Sequence, residues 1–403
     1  MTQKSVFASC KLFLILALTI SLLAACGNKE DNAAADETQT PQATQSPTES
    51  PAKDEQSEDA EQSAANAYNA IMQEMNKAKD GGVVDYDLVA KNYADSLQKL
   101  AAQRDSEQSE TTNEQISAAI AAAKSNEMDG VTAAQIVDKL LQKVFYTSLK
   151  AELKEALDHW DDKDKVLAEV AEAKAFYAPV LENTVKKRDN AFGTHMTDAI
   201  AGAFAQLDES AKANAQLDFQ LARQVIDKTL MKTFYLAVGG QEVGYAYKVE
   251  KAAAANEANV QAEQAEGWAF FQSLRNYMSG AAKEEADLIN KTFDLTTDPK
   301  TIKAETVHRA LVRGLAKVGV HEYEESAENW GQDKAVITGM EGALFINMID
   351  SDIKALLGEE SYQKLHEQAE NYINAAQQKN KDEADQLRAA LIGTLNDIIQ
   401  KMQ

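Results

Sequence analysis

The sequence predicts an all-α protein, and three observations indicate this fold class. Alanine, glutamate, lysine, glutamine and leucine, all strong helix formers, are abundant, whereas only Pro179 and Pro299 lie beyond residue 51. Apolar residues recur at helical spacing in one segment, at Ile136, Leu140, Leu141, Val144 and Phe145. A helical unit is also repeated along the chain. We therefore expect three tandem helical-hairpin repeats that form an elongated or bundled helical array.

Two motifs carry the repeat. The first is QIVDKLLQKVFY at 135–146, which returns as QVIDKTLMKTFY at 224–235 and more weakly as VHRALVRGL at 307–315. The second is a glutamate one helical turn before an aromatic residue, found at Glu172 and Phe176, Glu266 and Phe270, and Glu341 and Phe345. The apolar positions of the first motif are interpreted as core.

These motifs and the changes in composition divide the chain into seven segments. They are a lipoprotein signal peptide (1–26), a disordered tether rich in Pro, Ser, Thr and acids (27–65), an N-terminal helical partial unit (66–132), copy one (133–220), copy two (221–305), copy three (306–351), and C-terminal amphipathic helices (352–403).

The first segment predicts where the protein works. Lys4 and Lys11 precede an apolar run that ends in Leu23–Gly27, which resembles the bacterial lipobox with Cys26 as the lipidated residue. The alternative is an ordinary signal peptide with an incidental cysteine. We expect a chain in the cell envelope, lipid-anchored to a bacterial membrane on its extracytoplasmic side. Cys10 would leave with the signal, so no disulfide, cysteine-ligated zinc site or thiol chemistry is expected.

The charge of the chain limits its partners. The formal net charge is −23, and removal of residues 1–26, which hold two lysines and no acid, would bring it to −25. Such a surface repels phosphate backbones, so nucleic acid is not expected as a partner. It attracts cations, although acidity that only keeps an exported protein dispersed is an alternative.

A candidate metal site lies in copy three. On a helix, His321 shares a face with Glu324 and Glu325, and Glu322 with Glu325. A His-x-x-Glu turn offers imidazole and carboxylate to one metal, as in carboxylate-rich helical iron proteins. Glu341 could complete the site from the paired helix.

The other copies retain part of this pattern. Copy one keeps Glu152 and Glu155, adds Glu172, and has Ala151 where copy three has His321; copy two keeps Glu266. These acids could instead be solvated helix faces, and the glutamates of the second motif could cap or bridge helices in the core. The remaining histidines are interpreted as surface or structural residues. No phosphate-binding glycine loop or GxSxG motif is present, so a binding protein is expected, not an enzyme.

Three segments resemble a known family: 187–194 (KRDNAFGT), 224–229 (QVIDKT) and 266–271 (EGWAFF) are similar to the algal iron-assimilation, or low-iron-inducible periplasmic, proteins. They also resemble extracytoplasmic modules of Ftr-type iron permeases, over roughly residues 66–350. The resemblance implies exported helical proteins of iron acquisition, with iron bound and an iron permease as partner. Gly319, His321 and Glu324 also match the short GxHxxE motif of imelysin-like proteins.

The expected function is therefore that of an extracytoplasmic lipid-anchored iron-binding protein that assists iron acquisition. One alternative is a helical interaction or scaffold lipoprotein that docks a membrane partner without binding metal. A second is a carboxylate-bridged di-iron oxidase, for which the chain offers few Glu-x-x-His motifs.

Overall fold

The computed structural model describes the backbone of residues 55–403 and the side chains of residues 61–403. The predicted signal peptide, Cys26 and most of the predicted tether lie outside this range. Every regular element within residues 55–403 is helical, which confirms the all-α fold class. None of these helices combines the length and the apolar composition needed to cross a bilayer.

The first half of the described chain forms nine α-helices. They are α1 (Glu55–Met75), α2 (Tyr86–Ser96), α3 (Gln98–Gln108), α4 (Thr112–Lys124), α5 (Gly130–Asp158), α6 (Lys163–Phe176), α7 (Glu182–Phe192), α8 (Met196–Ala213) and α9 (Gln216–Gly239). A 3-10 turn spans Asn76–Asp80, and a π-helical turn, Tyr177–Leu181, joins α6 to α7. Asp129 begins α5 as its N-cap, since its carboxylate accepts the backbone N–H groups of Val131 and Thr132.

The second half forms eight more α-helices. They are α10 (Tyr245–Ala255), α11 (Val260–Ala281), α12 (Lys283–Phe293), α13 (Ala304–Glu328), α14 (Asp333–Met348), α15 (Asp350–Leu357), α16 (Glu359–Gln377) and α17 (Lys381–Lys401), with a 3-10 turn at Pro299–Thr301. The segment expected to form C-terminal amphipathic helices, 352–403, holds α16 and α17 and most of α15. Helix α16 ends at Gln377 and α17 begins at Lys381.

The start of the fold differs from the prediction. The tether was expected to extend to residue 65, but α1 already begins at Glu55. Its first half contains glutamate, glutamine and alanine, whose helix propensity is high even though they bury little apolar surface. Ala64 and Ala65 are 4% and 2% exposed, so the small side chains of this segment do pack against the fold.

Two of the expected hairpins are present, and the third is interrupted. The hairpin α5–α6 lies in copy one and α13–α14 in copy three, and the members of each pair pack on each other. In copy two α9 ends at Gly239, where a Cβ atom would lie 2.2 Å from Leu311 Cδ1. The short helix α10 is inserted before α11. Three equivalent hairpins therefore remain a prediction.

One continuous core joins these helices. Helix α11 packs on α5 and α9, while α14 packs on α9, α13 and α16. The predicted apolar stripe of copy one is buried at all five positions, none more than 3% exposed: Ile136, Leu140, Leu141, Val144 and Phe145. The helical spacing in the sequence thus identified the core face of α5 correctly.

Candidate functional site

The Asp-Lys pair of the first motif forms a buried polar network in copy one. The Asp138 carboxylate accepts a hydrogen bond from the Tyr68 hydroxyl at 2.6 Å. The Lys139 ammonium lies 2.6 Å from Asp138 and 3.1 Å from Glu266 of α11. Burial alone would raise the pKa of Asp138, but the charge of Lys139 and these hydrogen bonds lower it. The network therefore ties α1, α5 and α11 together, with the Lys139 ammonium shared by the carboxylates of Asp138 and Glu266.

Copy two repeats this arrangement. Asp227 accepts a hydrogen bond from the Tyr146 hydroxyl at 2.5 Å, as Asp138 does from Tyr68. Lys228 lies 2.8 Å from Asp227 and 3.7 Å from Glu341 of α14. Equivalent residues thus make equivalent contacts to a helix of the following copy.

The buried lysines contact both residues of the second motif, its glutamate and its phenylalanine. Lys139 Nζ lies 5.0 Å from the centre of the Phe270 ring, one turn beyond Glu266. Lys228 Nζ lies 5.7 Å from the Phe345 ring, one turn beyond Glu341. Each glutamate pairs with the lysine ammonium, and the aromatic ring lies beside that same ammonium. Glu266 and Glu341 therefore bridge helices in the core, one of the two roles that the sequence left open.

In the third copy of the first motif, His308 takes the position of Asp138 and Asp227. His308 Nε2 lies 2.9 Å from the Asp352 carboxylate, which also accepts a hydrogen bond from the Tyr235 hydroxyl. His308 Nδ1 lies 2.9 Å from the Gly239 carbonyl oxygen. Burial acts to lower the pKa of His308, but the hydrogen bond and charge of Asp352 raise it. His308 is only 2% exposed, so of the two interpretations made from the sequence, surface or structural, the surface one does not hold.

A pair of acids extends the copy-two network into copy three. Glu322 of α13 is 4% exposed, and its Oε1 accepts a hydrogen bond from the Tyr277 hydroxyl at 2.8 Å. Glu341 Oε2 lies 3.1 Å from the same hydroxyl oxygen. Burial, and next the charge of Glu341, raises the pKa of Glu322 to about 8. Glu322 Oε2 has no hydrogen-bond partner among the described residues.

The structure does not bring the other predicted copy-three ligands to this pair. His321 and Glu324 lie on the exposed face of α13, whereas Glu322 faces the core. Glu325 is partly exposed and pairs with Lys334 at 2.6 Å. The spacing indicated that His321 and Glu324 share a face, but this face points to solvent. Glu322, which was expected to share a face with Glu325, instead faces the core.

A different acid cluster lies in copy one. Glu152 of α5 and Glu169 and Glu172 of α6 each place one carboxylate oxygen within 4.8 Å of the others. We call these three residues the carboxylate triad. Burial raises the pKa of Glu152 to about 8, followed by the charges of Glu155, Glu172 and Glu169. Glu155 itself is exposed and acts through its charge.

A histidine adjoins the triad. His159, at the turn between α5 and α6, places Nδ1 3.2 Å from Glu169 Oε1. Sequence reasoning missed both residues, since it interpreted His159 as a surface or structural residue and passed over Glu169. The i, i+3 spacing of Glu169 and Glu172 was the available signal, since it places both on one face of α6.

The partial unit explains why acids accumulate here. Lys139 lies seven residues before Tyr146, and Lys228 lies seven residues before Tyr235. Tyr68 occupies the matching place in α1, and seven residues before it the chain carries Glu61. Helix α1 packs on α6, so by this register Glu61 takes the position that Lys139 and Lys228 hold toward the second motif.

One segment of the family resemblance has a structural role. Asp189, in the stretch 187–194, accepts the backbone N–H of Met196 at 2.7 Å and that of Thr197 at 2.9 Å. It also accepts the hydroxyl groups of Thr194 and Thr197, each at 2.7 Å. The segment therefore fixes the turn between α7 and α8.

Comparison with known proteins adds no family to this description. No protein-family model, curated protein or solved structure matches the chain. The resemblance to iron-assimilation proteins therefore stays a prediction.

Proposed function

We propose that this chain is an extracytoplasmic, lipid-anchored protein that binds iron or a similar hard cation at the carboxylate triad and thereby assists iron acquisition. The observation that carries the proposal is the convergence of Glu152, Glu169 and Glu172, whose oxygens lie within 4.8 Å of one another at the junction where the other copies place a lysine. Besides burial, the charges of three neighbouring glutamates raise the pKa of Glu152 and that of Arg104 lowers it, so a multivalent cation would add positive charge where acids outnumber it.

The donor set suits such a cation. Carboxylate oxygens are hard ligands, and His159 adds an imidazole beside Glu169. Oxygen and imidazole donors together favour iron over soft, thiolate-seeking metals. Because the pKa of Glu152 is about 8, this carboxyl is largely protonated near neutral pH, and a bound cation would displace its proton.

The triad is a better candidate than the predicted copy-three cluster. Glu341 already pairs with Lys228, which is 2% exposed and stands where a second cation would have to enter. His321 and Glu324 face away from Glu322 and Glu341. Copy three therefore supports a role in holding helices together more than a role in metal binding.

Anchoring and partnership complete the proposal. Cys26, outside the described residues, would carry the lipid, and the segment before α1 would let the helical part reach a membrane protein such as an iron permease. Cys26→Ala should abolish incorporation of labelled palmitate, because only Cys10 remains and it lies within the signal segment. Equal labelling of the variant would contradict the anchor.

Calorimetric titration of the full-length protein in detergent tests the cation site. Iron(II) under anoxic conditions and manganese(II), a hard cation that is stable to air, are the probes. We expect saturable binding that the double change Glu152→Gln and Glu169→Gln weakens at least tenfold, or about 1.4 kcal/mol. A matched double change on the exposed face of α13, Glu324→Gln and Glu325→Gln, should leave binding unchanged.

The scaffold alternative makes the opposite prediction. Acids that only form a solvated face would give weak, non-saturating association that falls with ionic strength and is equal in both double variants. That result would reject the cation site and leave an interaction lipoprotein as the better description.

A further inference from the structure

A second feature lies on another side of α5. Helices α3, α5, α9, α11 and α14 enclose a cleft of about 490 Å³. This volume falls within the range of small-molecule sites in proteins, roughly 300–1,000 Å³. No residue of the carboxylate triad lines the cleft.

The acids at the base of the cleft already have cationic partners. Asp227 lies 2.8 Å from Lys228 and 3.1 Å from Lys150. Glu341 lies 3.7 Å from Lys228. Two lysines thus balance two carboxylates, and the buried ammonium of Lys228 opposes the entry of another cation.

Arg223 adds a positive charge that is not paired with either of these two carboxylates. It lines the cleft from α9 and is only partly exposed. Its guanidinium forms no ion pair or hydrogen bond that links it to another residue of the described chain, although Asp227 and Glu341 are near enough to influence its pKa. Burial lowers this pKa, because the charged form has lost water without gaining a direct acceptor.

The remaining lining groups define the kind of anion. Tyr277 presents an aromatic ring, with Lys228 Nζ 4.2 Å and Lys150 Nζ 5.9 Å from its centre. Thr147 and Gln224 add neutral hydrogen-bonding groups. A guanidinium binds a planar carboxylate through two parallel N–H···O bonds, and a cleft of this size has room for an organic group beside it.

We propose that this cleft binds a small organic anion, with its carboxylate held by Arg223 and its remainder against Tyr277. Lys150, at the mouth of the cleft with 35% of its side chain exposed, adds attraction for the same charge. The charged side chains that line the cleft are four cations and four acids, Lys150, Lys154, Arg223, Lys228, Glu107, Glu155, Asp227 and Glu341. The cleft is therefore formally neutral in a chain with a net charge of −23, so an anion meets less repulsion there than over the rest of the surface. This inference does not depend on the proposed cation site.

Titration of the full-length protein with acetate, succinate and citrate, each as the sodium salt at constant ionic strength, tests the proposal. We expect at least one of these carboxylates to bind saturably and Arg223→Gln to weaken it at least tenfold. Arg223→Lys should retain part of the affinity, because it keeps the charge and loses the two-pronged geometry. Arg309→Gln, which removes an arginine of α13 that does not line the cleft, should have no effect.

Three results would overturn the inference. They are the absence of saturable binding of any carboxylate to the wild-type protein, equal binding to the wild-type protein and the Arg223→Gln variant, and stronger Arg223-dependent binding of inorganic phosphate than of every carboxylate. Since Arg223 has no direct partner to lose, the Arg223→Gln variant should unfold at the wild-type temperature, and circular dichroism checks that its fold is intact.

Discussion

Two helix junctions in this molecule are built from equivalent positions of the repeat but differ in charge: one has a lysine where the other has a glutamate. Where copy two meets copy three, Glu341 is paired with the buried Lys228, and the Phe345 ring lies beside the Lys228 ammonium. Where the partial unit meets copy one, Glu172 occupies the place of Glu341, and α1 carries Glu61 at the position of the lysine. The first junction is a neutral core contact, whereas the second accumulates carboxylates. A helical contact can therefore become a candidate cation site through a change of sign at one position.

The energetics of the two junctions should differ accordingly. A buried ion pair adds little net stability compared with apolar packing, but removal of one partner leaves an uncompensated charge in the core. The lysine-matched junction is therefore sensitive to loss of its lysine. The carboxylate junction is instead sensitive to anything that changes its protonation or supplies a cation.

The largest effect is expected for Lys228→Met. This change leaves Asp227 and Glu341 without their shared buried cation and should lower the free energy of unfolding by about 3–5 kcal/mol. Urea unfolding followed by circular dichroism measures it. Lys139→Met should cost a similar amount, because Lys139 holds Asp138 and Glu266 in the same way.

Lys174→Met provides the control for this prediction. Lys174 pairs with Asp208 at 2.7 Å, but its side chain is 38% exposed, so its loss should cost less than about 1 kcal/mol. Equal costs for the three variants would show that the buried networks have no special energetic role.

The next effect is a dependence of stability on pH. The pKa values of Glu152 and Glu322 are raised to about 8 from an ordinary value of 4.5, so the folded state binds these protons more tightly than the unfolded state. Their contribution to stability is complete below about pH 4.5 and is lost as the pH rises through 8. Without added metal, we expect the loss of free energy of unfolding across this range to be on the order of 1–2 kcal/mol for Glu152, which is partly screened by solvent, and larger for the buried Glu322.

Glutamine substitutions separate the two groups. Glu152→Gln and Glu322→Gln each imitate the protonated carboxyl, so each should flatten part of the pH profile measured by thermal unfolding. Added manganese(II) should offset the loss that arises at Glu152, while the part that arises at Glu322 should persist. If manganese(II) still stabilised the Glu152→Gln variant, the cation would not act at the carboxylate junction, and the proposed difference between the two junctions would be rejected.

Part of this comparison was available from the sequence. The stripe from Ile136 to Phe145 and the pairing of glutamate with aromatic follow from helical periodicity, a local property of the chain. Periodicity does not say which face meets another helix, so His321 was placed with Glu324 correctly yet on an exposed surface. The contacts of Tyr277 with Glu322, 45 residues away, and of Lys139 with Glu266 depend on tertiary packing that no spacing encodes. The i, i+3 spacing could have paired Glu169 with Glu172, but only the α5–α6 hairpin brings these two residues to Glu152.

A third effect, of about 1 kcal/mol, is expected when the carboxylate junction receives a lysine. Glu169→Lys places an ammonium within reach of Glu152 and Glu172, so it should lower the pKa of Glu152 and raise stability at pH 8 in the absence of metal. It should also abolish stabilisation by manganese(II). Ala171→Lys adds the same charge at an exposed position of α6 and should change neither property.

The smallest effect concerns the aromatic residue of the second motif. Phe270 covers Lys139 at 5.0 Å, and a double-mutant cycle between Lys139→Met and Phe270→Leu isolates that contact from the loss of packing. We expect a coupling free energy of about 0.5–2 kcal/mol, because the ammonium is largely removed from water. The equivalent phenylalanine of copy one, Phe176, stands in the motif whose lysine position carries Glu61, so a cycle between Glu61→Gln and Phe176→Leu should give coupling near zero. Coupling of equal size in both cycles would mean that the aromatic residue serves packing alone, and that the two junctions differ only in their glutamate and lysine.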